Sequence, residues 1–164
     1  MNRLAVILVG ASLLWCAIAW ADEFEGLDAI HLFDEFSVNI VDDVKGGCWT
    51  NVDAVRTEVE LILRRNGLRV VEEGDLVDVS VTCYGFGGRT SKNSYCLGSF
   101  SCRVVTWGTR STRDGEATGL LSLHEFGPRI FTSDNFNGQF MEDASAFAKK
   151  VANAYLKQKQ KHGE

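Results

Sequence analysis

The chain has 164 residues, 24 % of them charged, and a formal net charge of −5. A single proline, no low-complexity stretch and no internal repeat describe one domain with its own core and no interdomain linker. The acidic balance argues against a general nucleic-acid binder, although the charge is uneven: residues 22–80 carry −10 and residues 81–129 carry +3.

Residues 1–21, MNRLAVILVGASLLWCAIAWA, read as a cleaved signal peptide. One arginine precedes an apolar run over 4–20, and Ala19 and Ala21 have the A-x-A spacing of a cleavage site. Cleavage after Ala21 places the chain in the periplasm or outside the cell, with no stable membrane anchor. An uncleaved anchor is the alternative, since 17 apolar residues lie at the short edge of a spanning helix. Lipidation of Cys16 is disfavoured because the bulky Leu14 and Trp15 precede it where small residues are needed. There is no N-x-S/T sequon. An acidic leader over 22–35, a single domain over 36–158 and a frayed tail over 159–164 follow.

Residues 36–44, FSVNIVDDV, alternate as a strand and end at Gly46-Gly47. Thr50 and Asn51 then offer an N-cap, with Asp53 as a partial capping box. Val52, Val55, Val59 and Ile62 recur on one helical face, and Asn66-Gly67 stops the helix. Residues 68–71 continue as a short extended piece. Residues 76–84 alternate again, 101–109 make a further strand, Asp114-Gly115 marks a turn, and 117–126 return. Phe140, Ala144, Phe147, Val151 and Ala154 form the stripe of a closing helix, with Lys157, Lys159 and Lys161 suiting its C-terminal dipole. The expected fold is α+β: a mixed four-stranded sheet in the order β-α-β-β-β-α, two helices on one face, stapled by disulfides.

The stretch CYGFGGRTSKNSYCLGSFSC, residues 83–102, carries most of the chemistry. Its glycines follow a strand but open no helix, so neither a Walker loop nor a dinucleotide fingerprint is present. The C-x12-C-x5-C spacing lacks the close pairs of a zinc knuckle, even with His124 added. A thiol nucleophile needs a nearby imidazole, and the histidines are His31, His124 and His162. Asp42 and Asp43 are adjacent on a strand and diverge to opposite faces. No cofactor and no metal site are expected.

What remains is a disulfide framework of Cys48, Cys83, Cys96 and Cys102, with three pairings open. A strand–helix–strand crossover makes the first two strands parallel, so their C-terminal ends meet. That favours Cys48 with Cys83 and leaves Cys96 with Cys102. The 85–101 loop would then be rigid, presenting Phe86, Arg89, Lys92, Tyr95 and Phe100, with Arg103 and Trp107 alongside. These are residue types that anchor interfaces, and a stapled loop loses less entropy on binding.

The order FSVNIVDDV, then VDAVRTEVELILRRNGLRVVEEGDLVDVSVTCYG, then the Phe147 helix, resembles the periplasmic domain of TolB N-terminal regions and the CsgG-like family. The resemblance implies a non-catalytic domain acting through partners in envelope machinery. The four cysteines and the missing lipidation signal depart from it, and no residue is carried over. The expected function is an exported binding or accessory protein of the bacterial envelope, with a protein or envelope component as partner. The alternatives are a small periplasmic hydrolase using His124 with Glu125, or an enzyme-inhibitor module.

Overall fold

The structure, a computed structural model, describes residues 27–72, 79–89, 94–112 and 115–163. The signal segment and part of the leader, Lys92, and residues 76–78 of the expected second strand lie outside these. Strand β1 (Glu35–Lys45) leads into helix α1 (Val52–Arg65), and a two-residue strand β2 (Arg69–Val70) follows. Three long strands come next, β3 (Val79–Arg89), β4 (Cys96–Thr112) and β5 (Gly115–Ser133), and helix α2 (Asn137–His162) closes the chain.

The sheet has five strands where four were expected, in the order β2-β1-β3-β4-β5. The extra one is the short extended piece at 69–70, which pairs parallel with the start of β1. β1 and β3 are parallel, as the crossover requires, and the β3–β4 and β4–β5 pairs are antiparallel. The class is therefore α+β with a mixed sheet.

Both helices bury their stripes against the same sheet face. Val55, Val59 and Ile62 of α1 and Phe140, Ala144, Phe147 and Val151 of α2 share one core with Phe36, Val38, Val81 and Val104. Gly67, at φ +85°, ends α1 with its N–H on the Arg64 carbonyl. The N-terminal ends of the helices are joined: Asn137 Oδ1 accepts from Thr50 N at 2.9 Å, and its amide donates to Thr50 Oγ1 at 2.9 Å. The core also reaches into the segment read as a leader, where Leu27 and Ile30 are buried. The segment read as a tail continues α2 as far as His162.

The strands outrun their sequence limits for two reasons. The glycines of GFGG look like loop residues, yet they lie within β3, where aromatic rings press on the backbone at Gly85, as they do at Gly98 of the paired β4. A Cβ at Gly85 would sit 2.4 Å from the Trp49 ring, and one at Gly98 would sit 2.5 Å from the Phe86 carbonyl and 2.7 Å from the Phe136 ring. Strand β5 runs past its expected end at residue 126 and on through Pro128. The proline sits in a bulge between the Phe100–Arg129 and Cys102–Phe126 pairs, on an edge strand where its missing N–H breaks no ladder.

Candidate functional site

The 83–102 stretch is therefore a hairpin of two paired strands and not a loop held only by bridges. Its two disulfides differ from the expected pairing: Cys48 joins Cys96, and Cys83 joins Cys102. The parallel β1–β3 register explains this. Cys83 pairs with Ile40, well inside the sheet, because β3 continues six residues further, to Arg89. Lys45 is level with Gly88, and Arg89 is opposite Cys96, so the chain leaving β1 delivers Cys48 to Cys96. Cys83 meets Cys102 directly across the ladder, with Cα atoms 4.0 Å apart.

Strand alternation divides the singled-out residues between two faces. Phe100 points inward and is fully buried, stacked on Phe140 at 4.6 Å and edge-on to Trp49 at 6.1 Å. It is a core residue and presents nothing to a partner. Phe86, Arg103 and Trp107 point to the opposite face, against which no described element packs. Arg89 and Tyr95 stand at the hairpin end, and Arg89 Nη2 donates to the Asp134 carbonyl at 2.9 Å, bracing the turn into α2. Tyr95 is exposed.

Beside Phe86, 62 % exposed, and Trp107, 67 %, the helix-free face holds residues that the sequence reading passed over: Ile130, 80 % exposed, and Leu120, 58 %, with Leu97 nearby. Phe86 and Ile130 both stand opposite Ser99, leaving a hollow of about 310 Å³ floored by Ser99, Gly98 and Gly87 and walled by Phe86, Leu97 and Ile130. Trp107 and Leu120 are cross-strand partners where the β4–β5 ribbon extends beyond the described part of β3. Between these apolar ends, the Arg103 guanidinium lies 4.7 Å from the centre of the Tyr84 ring and donates to its hydroxyl. Glu125 pairs with Arg103 in the ladder and is exposed. The missed signal was Ile130: residues 129–133 alternate, but they follow Pro128 and were not read as strand.

The hydrolase set does not assemble. His124 is buried on the helix side, stacked on Phe147 at 5.8 Å, while Glu125 points to the other face. Asp42 and Asp43 are both exposed; Asp42 Oδ1 accepts from Val44 N and Asp43 lies 3.9 Å from Lys45 Nζ. Asp143 of α2 is the buried carboxylate, 5 % exposed, with Oδ1 2.6 Å from Arg129 Nη1 and no partner on Oδ2 among the described residues. Burial pushes its pKa above the ordinary value, Arg129 pulls it back, and Glu142 adds a smaller push. Among the described residues no cluster of three metal-ligating side chains occurs, and no helix is long and apolar enough to cross a membrane.

No family model and no curated protein matches this chain. It is similar in structure to a PelC dodecamer subunit from Paraburkholderia phytofirmans, at 12 % identity over 74 % of this chain and 88 % of that one, TM-score 0.39. It is also similar to a DUF330 protein from Xanthomonas campestris, at 8 % over 80 % and 87 %, TM-score 0.37. A minor lipoprotein from Acinetobacter baumannii matches at 12 % over 74 % and 91 %, TM-score 0.31. None of these neighbours is a TolB N-terminal or CsgG-like domain, and the expected resemblance to those families is not supported. That resemblance rested on element order, which constrains the chain path but leaves strand length and register open.

Proposed function

We propose that the chain is an exported, disulfide-stapled binding or accessory protein of the bacterial envelope that works through the helix-free face of its sheet. The observation that carries this is the set of large apolar side chains at the two ends of that face: Phe86, Leu97 and Ile130 at one, Trp107 and Leu120 at the other. Surfaces of this kind, rimmed by polar groups, mark interaction sites, and aromatic and arginine side chains dominate interface energetics. Export is supported by the two disulfides, which persist in oxidising compartments, and by the signal-like residues 1–21.

The test is capture from envelope extracts with Phe86→Ser and Trp107→Ser chains, each first checked for native circular dichroism. Loss of the crosslinked product in both is expected. Undiminished capture by both folded variants would remove the face from the reading. Catalysis through His124 predicts a different outcome, loss of active-site probe labelling in His124→Ala.

A further inference from the structure

The helix-free face is organised about β4. Phe86 on β3 and Ile130 on β5 flank Ser99 in one row. Four residues along β4, Arg103 leans over Tyr84 on the β3 side, while Glu125 stands on the β5 side. Four residues further, Trp107 lies on β4 itself. The three rows span about 26 Å at roughly 3.3 Å per residue.

Consider a twofold axis lying along β4 in the plane of contact. It turns a second sheet over and sets its β5 side against the β3 side of the first. Phe86 of each copy then meets Ile130 of the other, and Arg103, leaning from β4 to the β3 side, meets Glu125 on the other copy's β5, twice. The two Trp107 rings meet near the axis, each beside the other copy's Leu120. A twofold interface must be self-complementary in this way, and opposed charges fix its register. Aligned sheets pack this way at about 10 Å, within roughly 30° of one another.

We infer that the occupant of this face is a second copy of this chain, the two sheets packing face to face as a twofold homodimer. The inference rests on the reading of this face as a docking surface and names its partner.

Sedimentation velocity on the oxidised protein tests it. The wild type is expected to dimerise with rising concentration. Glu125→Arg and Arg103→Glu, each alone, are expected to weaken self-association by about tenfold or more, because like charges then face each other twice. An equimolar mixture of the two variant chains is expected to regain the dimer, since both contacts are then opposite in sign. Recovery in trans separates a contact between copies from one within a chain. A wild-type chain that stays monomeric, or a dimer indifferent to both substitutions, overturns the inference. A photo-crosslinking residue at Trp107 then separates the two readings: labelling of another protein by a monomeric chain leaves the docking surface standing, and no labelling sinks both.

Discussion

A methyl group added at Gly85 would lie 2.4 Å from one Trp49 ring atom, 2.6 Å from the next and 2.9 Å from Phe140. Those rings belong to a packed set: Trp49 meets Phe140 at 5.0 Å, and Phe140 meets Phe136 at 4.9 Å. Neither neighbour is the free end of a flexible chain, so the strain must be absorbed by the core. Gly85→Ala is expected to destabilise by about 1–3 kcal/mol, read from the urea midpoint. Asp143 gives a pH signature. Its folded pKa lies above the unfolded value, so the folded state binds more protons in the window just above the ordinary carboxylate range. Its contribution is present below that range and is lost as pH rises through the folded pKa. Asp143→Asn should flatten this part of the stability–pH profile, measured by denaturant titration from pH 3 to 7. Phe100 shows why residue type misleads: an aromatic among Gly and Ser suggests a presented anchor, but only the register of β4 decides which face it takes, and that face is the core.

Secondary-structure elements with a strong period were legible, including both helices, their apolar stripes and the Gly67 stop. Strand limits were not, because the glycines of β3 and Pro128 of β5 carry loop chemistry that tertiary contacts override. The same error misplaced the disulfides, since ending a strand at residue 84 puts Cys83 at its tip, beside Cys48. With the observed register the bridges close loops of 48 and 19 residues. On loop entropy alone, removing Cys48–Cys96 by paired alanines should cost about 0.8 kcal/mol more than removing Cys83–Cys102. Thermal unfolding of the two double variants measures the difference. Peptide mapping without reduction is expected to recover residue 48 linked to 96 and residue 83 linked to 102, and a Cys48–Cys83 peptide would contradict the fold.

For the whole molecule, two helices over one side of a sheet were readable, because two apolar stripes need a common surface to bury against. The importance of the opposite side was not, since it depends on which strands are neighbours: Phe86, Ser99 and Ile130 are far apart in sequence and form one row only through the β3–β4 and β4–β5 registers. The bridges add a constraint of a different kind. Along the chain they interleave, with Cys83 falling inside the loop closed by Cys48 and Cys96, and Cys102 outside it. A chain delivered to an oxidant N-terminus first presents Cys48 and Cys83 before either native partner has arrived. Oxidation in order of arrival would join the wrong pair, so correct maturation depends on thiols that wait for β4 or on an isomerase that undoes the early bond.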